Sequence, residues 1–277
     1  KTRKQRLLSG ITIRSIRLHD LVRLGTVRTE ALSLDQPLGR VGQRIADPLS
    51  VLPISNRRRK TFVALCDGRP EGIAELRVDP ENHRWILTRL AANRRNAFDD
   101  VECRERIWKK LIVYAIRSAG FARAKRMHAS FPEGSPLIPV LEETGFTVYA
   151  RDTVLVAHRL PTDGDTVARR QEPSDVWSIQ QLYHAVTPRA VQYAEALTSN
   201  YWDLAVPGSA ATRGYVIDHG FEIAGYCRVV SAGGRHVMNV MVHPDAVDLL
   251  GPLLSDVARD LNAAADDEFV LSVPEYH

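Results

Sequence analysis

One order of predicted elements occurs twice along the chain, and this internal repeat constrains the fold more than any other feature of the sequence. A β-like run, a polar corner and a stretch of helical periodicity cover residues 11–24 and again 166–182, with Asp20 and Asp175 at matching positions. Two modules also suit a chain of 277 residues, since a usual domain has about 150. The simplest explanation is a tandem duplication.

Each copy continues with a predicted β-hairpin, a third strand and a long amphipathic helix. The hairpins cover residues 60–78 and 213–230, the third strands 84–92 and 236–242, and the helices about 102–119 and 247–261. A further strand then closes each block, at residues 125–135 and 267–277, with a Pro–Glu pair near its end. This order predicts a mixed sheet flanked by helices in each half.

Only the first copy continues past its Pro–Glu pair. Ser135–Pro136 predicts the start of a closing helix that ends at Gly145, with Phe146 as the apolar contact of the cap. Residues 147–160 then predict one or two closing strands.

The second copy stops at His277, where the counterparts of these closing elements would begin. We therefore predict a first domain at residues 1–160, a linker at 161–165, and a second domain at 166–277 that is incomplete at its C-terminus. The edge of the second sheet then needs cover from the first module, a partner chain or residues outside this sequence.

Composition places the chain among globular proteins, with 44% hydrophobic and 25% charged residues. No apolar stretch approaches the roughly 18 residues that a membrane span requires. The three cysteines lie far apart without a CxxC spacing, which favours a reducing cytoplasm, and the nine histidines show no metal-binding spacing. We therefore predict a cytoplasmic protein without a membrane segment, a disulfide framework or a metal.

The order β-α-β-β-β-α-β-α-β resembles the GNAT superfamily of N-acetyltransferases. LEETGFTVYARDTVLV (141–156) is similar to the closing helix and strand of that superfamily, and VMVHPD (240–245) to its central strand and exit. The resemblance implies an α/β fold with mixed sheets. The two GNAT-like acyl-CoA N-acyltransferase modules would lie in tandem, the second without its closing helix and strands.

The resemblance also implies a function, the transfer of an acetyl group from acetyl-CoA to an amine. The pantetheine arm of the cofactor would pair with the central strand, which points to Val240, Met241, Val242 and His243 in the second copy. The pyrophosphate would bind to main-chain N–H groups at the start of the next helix. The acceptor would be a small-molecule or peptide amine, and a homodimer is an open alternative.

Both copies depart from the glycine-rich phosphate loop of the superfamily, which allows close approach of the backbone. In the first copy Arg106 and Trp108 occupy the two glycine positions, so we predict that they lie at the start of the long helix and block a phosphate there. The alternative is that Trp108 points into the core beside the Ile107–Leu111 stripe. In the second copy the loop after Asp245 is short, Asp248 adds negative charge, and Gly251 is out of register.

The catalytic groups are not evident from the sequence. Neither central strand contains a carboxylate, and Leu141 stands where the superfamily places a tyrosine acid. Tyr149 is close by but is more simply a packed strand residue. Glu133 and Glu275 follow strands and are more simply solvated turn residues, while His243 is a base candidate or a polar residue before a helix. We assign no catalytic residue.

Three interpretations remain. The first is a tandem acyltransferase that binds acetyl-CoA through an atypical loop, most readily in the second module. The second is a non-catalytic tandem scaffold that binds another ligand or mediates assembly. The third, less favoured, is nucleic-acid binding through short basic clusters at residues 1–6, 57–60 and 94–95, which lack interleaved aromatic residues.

Overall fold

The computed structural model describes residues 10–17, 19–20, 32–33, 58–79, 83–92, 101–162, 165–204, 211–220, 222–262 and 267–276. The basic clusters at 1–6 and 94–95 therefore lie outside the described residues. The chain divides into two compact units between Thr147 and Val148. In the parts of the chain that are described, no helix is both long and apolar enough to cross a membrane.

The first unit contains a sheet in which strands β3, β4 and β5 form the centre. Its strands are β1 (Ile11–Ser15), β2 (Leu32–Ser33), β3 (Arg59–Cys66), β4 (Arg69–Asp79), β5 (Arg84–Ala92) and β6 (Arg126–Ala129). The spatial order is β1-β3-β4-β5, with β2 and β6 both paired to β5. Among these described strands the β5–β6 pair is parallel and the others are antiparallel. Asp67 and Gly68, both with positive φ, form the tight turn of the predicted β3–β4 hairpin.

Two helices follow, α1 (Val101–Phe121) and α2 (Ile138–Glu143). The predicted long helix is confirmed, and one stripe of it is buried against the sheet: Cys103, Ile107, Trp108, Leu111, Ile112, Ala115 and Ala119. Helix α2 begins later than predicted. Ser135 instead closes a turn, in which its Oγ accepts the N–H of Leu137 at 3.3 Å, so the first helical residue is Ile138.

The predicted glycine cap of α2 is confirmed. Gly145 has φ of +97° and donates its N–H to the carbonyl of Glu142 at 3.0 Å, while Phe146 donates to Leu141 at 3.1 Å. These are the two hydrogen bonds of a Schellman motif. Phe146 packs against the core of the first unit, as the sequence predicts.

The second unit contains a six-stranded sheet of the same kind. Its strands are β7 (Asp152–Ala157), β8 (Arg169–Arg170), β9 (Ala211–His219), β10 (Glu222–Ala232), β11 (Arg235–Val242) and β12 (Glu268–Pro274). The spatial order is β7-β12-β11-β10-β9-β8, and only the β11–β12 pair is parallel.

Three helices accompany this sheet: α3 (Val176–Val186), α4 (Arg189–Glu195) and α5 (Leu250–Leu261). Helix α3 packs into one apolar cluster and α5 into another. The predicted helix over 247–261 begins later, because Pro244–Leu249 forms a 3₁₀ turn. Val247, expected on the buried stripe, is 60% exposed in that turn.

The strand predicted to close the first copy lies in the second sheet. Strand β7 pairs antiparallel with β12 over six residues, from Asp152 opposite Pro274 to Ala157 opposite Phe269. The division between units therefore differs from the predicted boundary at 160. The physical reason is the open edge of β12, whose main-chain donors and acceptors need a partner strand.

Candidate functional site

The parallel strands β11 and β12 separate at the end of their ladder. Their pairing runs from Arg235 opposite Glu268 to Asn239 opposite Ser272, and β11 continues for three residues beyond that point. In the same register the next donor from β12 would be Pro274, which has no N–H. The ladder therefore ends there. In this register the last pair, Asn239 opposite Ser272, uses the N–H of Val240 as a donor to the carbonyl of Ser272, so the edge that β12 leaves unpaired begins at the carbonyl of Val240.

The main-chain groups at this exit alternate in direction. The N–H of His243 donates to the carbonyl of Ala224 at 2.8 Å, on the β10 side. Because antiparallel pairs alternate, Met241 also bonds toward β10, whereas Val240 and Val242 direct their N–H and C=O groups to the side of β12. The opening is thus lined by main-chain hydrogen-bonding groups.

Side chains at the exit divide between the two faces of the sheet. Val240 and Val242 pack into the cluster that contains α5. Met241 packs against the opposite cluster, which contains Tyr183 of α3. The ring of His243 faces the 3₁₀ turn, where its Nδ1 accepts the N–H of Asp245 at 3.3 Å. The four residues selected from the sequence therefore lie at the strand exit, and the imidazole of His243 caps the 3₁₀ turn Pro244–Leu249.

A group of polar side chains lies on the α3 face of the second unit. The hydroxyl of Tyr183, which is buried, donates to Oε2 of Glu195 at 2.8 Å. Burial and the nearby charge of Glu195 raise the pKa of Tyr183.

Tyr276 belongs to the same group. Burial and, to a smaller extent, the charge of Glu195 raise the pKa of Tyr276 to about 12. The hydroxyl of Tyr276 also forms a hydrogen bond with the side chain of Thr187. At neutral pH this phenol is a proton donor.

Sequence reasoning did not select these residues. In the sequence Tyr183 has the spacing of an apolar position on a helix face, and Tyr276 lies 93 residues further along the chain, so no local spacing signals their proximity. The catalytic candidates weighed from the sequence are more exposed than this group. Glu133 and Glu275 are exposed turn residues, and Tyr149 is 41% exposed.

The segment between β11 and α5 is acidic. Asp245 and Asp248 are both exposed there, and the sequence has no lysine or arginine from residue 236 to 258. Gly251 lies in the first turn of α5, and a Cβ at that position would meet no atom within 4 Å. Space is therefore available at the helix start, and the segment itself contributes no lysine or arginine there.

In the first unit the corresponding opening lies where β5 separates from β6, and strand β2 of the same chain fills it. Parallel pairing of β5 with β6 ends at Leu87 opposite Ala129. Thr88 forms a bulge against β4, and its hydroxyl donates to the carbonyl of Glu75 at 3.2 Å. The next two residues of β5 pair with β2, Leu32 opposite Leu90 and Ser33 opposite Arg89. Strand β2 thus covers the edge that is free in the second unit.

The predicted position of Arg106 and Trp108 is corrected by the structure. Helix α1 begins at Val101, so both residues lie in its second turn rather than at its start. Trp108 is 1% exposed and packs in the core, with the guanidinium of Arg104 5.0 Å from its ring, so the indole does not face a phosphate. Arg106 lines an open groove of about 460 Å³ on the exposed side of α1.

The fold is that of known N-acetyltransferases. A GCN5-related N-acetyltransferase from Sphaerobacter thermophilus matches 95% of this chain and 86% of its own, at 14% identity and a TM-score of 0.52. A tandem GNAT protein from the clavulanic acid biosynthesis pathway matches 96% of this chain and 90% of its own, at 15% identity and a TM-score of 0.49. A putative acetyltransferase from Pyrococcus horikoshii matches 95% and 79%, at 13% identity and 0.49.

The first of these similarities shows that the chain has the GNAT fold. The sequence itself matches no protein-family model and no curated protein.

Proposed function

We propose that the protein is a GNAT-type acyltransferase whose second unit binds an acyl thioester of the coenzyme A type, such as acetyl-CoA. The observation that carries this proposal is the main-chain edge that β12 leaves unpaired, from the carbonyl of Val240 to the N–H and carbonyl of Val242. A pantetheine arm contains two amides, and such an arm pairs with a strand edge as another strand would. Val240, Met241, Val242 and His243 are therefore the proposed binding residues.

The residues at the exit fit that arm. The edge offers the N–H of Val242 between the carbonyls of Val240 and Val242, and the side chains of these two valines form an apolar wall toward α5. When bound, the thioester supplies an activated acyl carbon at the opening between β11 and β12. The acceptor then approaches from the opposite face, where Met241 contacts the cluster of Tyr183.

Two groups on that face suit the chemistry of acyl transfer. The Glu195 carboxylate accepts a proton from the attacking amine, whose nitrogen forms a bond to the acyl carbon while the carbon–sulfur bond breaks. The Tyr276 hydroxyl, protonated because its pKa is raised, donates a proton to the departing sulfur. Tyr183 holds Glu195 in place through its 2.8 Å hydrogen bond.

The first unit is not proposed as a donor site. Its equivalent edge at Arg89 and Leu90 is already paired with β2, so a pantetheine arm would have to displace a strand of the chain. The stoichiometry expected of the full chain is therefore one thioester per molecule.

Binding of acetyl-CoA and of S-acetyl-pantetheine to the full chain, followed by acetyl transfer to a panel of amines, tests the proposal. Val242→Pro removes an N–H that does not pair with β10 or β12, so we expect the fold to persist and thioester binding to weaken by up to about tenfold. Val242→Ile retains the N–H and is the matched control. Failure of both thioesters to bind at millimolar concentration would favour the non-catalytic scaffold.

The catalytic roles have their own test. Glu195→Gln and Tyr276→Phe should each lower turnover by about a hundredfold and leave thioester binding within about twofold. Tyr193→Phe is the control, since Tyr193 lies on the same helix as Glu195 and is 79% exposed. Equal turnover in all three variants would remove Glu195 and Tyr276 from the mechanism.

A further inference from the structure

The segment that would face the nucleotide half of a coenzyme A thioester repels anions. Asp245, with a side chain 91% exposed, and Asp248 both lie between the exit of β11 and the start of α5. The nearest arginine along the chain, Arg259, is engaged by Asp256 at 2.7 Å and by the carbonyl of Thr162 at 2.9 Å. A pyrophosphate placed at this segment would therefore meet two exposed carboxylates, and residues 244–252 themselves carry no cationic side chain.

The same segment has few main-chain donors to offer. Pro244 and Pro252 have no N–H. The N–H of Asp245 is bonded to His243 Nδ1, that of Ala246 to the His243 carbonyl at 2.8 Å, and that of Leu250 to the Val247 carbonyl. A phosphate site at a helix start depends on several free N–H groups that converge on the anion. Between Pro244 and Pro252 most main-chain N–H groups are either missing or already donate to another atom of the protein.

The two halves of the donor thus meet opposite surroundings. The strand edge at Val240 and Val242 suits the uncharged pantetheine arm, whereas the segment from Pro244 to Pro252 disfavours the phosphates. We infer that the second unit recognises its donor by the acyl-pantetheine arm alone, so that the natural donor is an acyl-pantetheine thioester whose nucleotide, if present, adds nothing to affinity. This inference rests on the proposed function and names its donor class.

Acyl-pantetheine chemistry has two sources, a free thioester and a pantetheine arm carried on a carrier protein. Neither presents a nucleotide to the acidic segment. The inference therefore covers both, and the experiment separates them.

The test compares dissociation constants of the full chain for S-acetyl-pantetheine, acetyl-CoA and an acetylated carrier protein. We expect S-acetyl-pantetheine to bind at least as tightly as acetyl-CoA at low salt. Raising the salt concentration should tighten acetyl-CoA binding by about threefold, because screening relieves repulsion, and should leave S-acetyl-pantetheine unchanged. Tighter binding of the carrier protein than of S-acetyl-pantetheine assigns the carrier as source, and weaker binding assigns the free thioester.

A double variant sharpens the comparison. Asp245→Asn with Asp248→Asn should tighten acetyl-CoA binding by about fivefold at low salt and leave S-acetyl-pantetheine within about twofold. Both residues are exposed, so the fold should persist.

Two outcomes distinguish failure of this inference from failure of the proposed function. Preference for acetyl-CoA over S-acetyl-pantetheine by more than about tenfold would overturn this inference and leave the proposed function intact. Failure of every thioester to bind would overturn the proposed function and the inference with it.

Discussion

The guanidinium of Arg169 and the carboxylate of Asp175 form a bidentate ion pair, with both nitrogen–oxygen distances at 2.8 Å. Arg14 and Asp20 form the same pair in the first unit, at 2.7 and 2.8 Å and with the same spacing of six residues. In both units a main-chain N–H from the corner also donates to the aspartate, at 2.6 and 2.8 Å. The duplication inferred from Asp20 and Asp175 thus extends to the contacts that fix the first corner of each unit.

Loss of the Asp175 charge should destabilise the second unit. Asp175→Asn removes the negative charge and replaces one of the two acceptor oxygens that Arg169 contacts with a donor NH2 group, while keeping the side-chain shape. We expect a loss of about 1.5–3 kcal/mol in the free energy of unfolding, at the lower end because Arg169 is 40% exposed. Asp218→Asn is the matched control, since Asp218 binds the same guanidinium but is 52% exposed. Equal losses from the two variants, measured by denaturant unfolding, would contradict this ranking.

The same pair predicts a dependence of stability on pH. The hydrogen bond from Arg169 holds the pKa of Asp175 below its ordinary value, despite burial. Because the folded-state pKa is the lower one, the stabilisation is present above the unfolded-state pKa of about 3.9 and is lost as the pH falls further. Melting temperatures measured between pH 6 and 3 should therefore fall less steeply for Asp175→Asn than for the unaltered chain, and parallel curves would exclude the effect.

Strand β7 should be required for the second sheet. The N–H of Glu275 donates to the carbonyl of Arg151 at 2.9 Å, and alternation from that pair places the N–H of Leu155 toward β12 and that of Val154 toward the open edge. Leu155→Pro should therefore lower the stability of the full chain markedly, whereas Val154→Pro should cost little. Circular dichroism melting of both variants is the measurement. The reverse order would show that the pairing register is wrong.

All three thiols should be unreactive in the folded protein. Cys66, Cys103 and Cys227 are buried, and burial raises the pKa of Cys227 to about 12. Because the thiolate is the reactive form, a disulfide reagent at pH 8 should label the unfolded chain at three positions and the native chain at none. Rapid labelling of Cys227 in native protein would indicate that the interior of the second sheet opens.

Much of the fold was predictable because its signals are local. The β3–β4 hairpin follows from strand alternation around Asp67–Gly68, and helix α1 from its apolar stripe. The Gly145 cap follows from a single glycine after a helical run. Each of these depends on residues close together in the chain, where backbone geometry and side-chain type decide the outcome.

The remaining features depend on contacts between distant residues. Sequence order assigns 152–157 to the first copy, and only the free edge of β12 explains why this strand lies in the second sheet. Alignment of Trp108 with the phosphate loop of the superfamily placed it at the start of the long helix. The helix in fact begins earlier, at Val101, and the indole lies in the core. The Tyr183–Glu195 pair and Tyr276 show no spacing pattern, because tertiary packing alone brings them together.

Amide hydrogen exchange of the full chain, with and without S-acetyl-pantetheine, tests the central claim most directly. That claim is that the exit of β11 in the second unit binds the donor. The account predicts slower exchange at residues 240–243 when the thioester is present, and unchanged exchange at residues 88–91, where β2 already covers the equivalent edge. Protection at residues 88–91 with none at 240–243 would place the donor in the first unit and contradict the account.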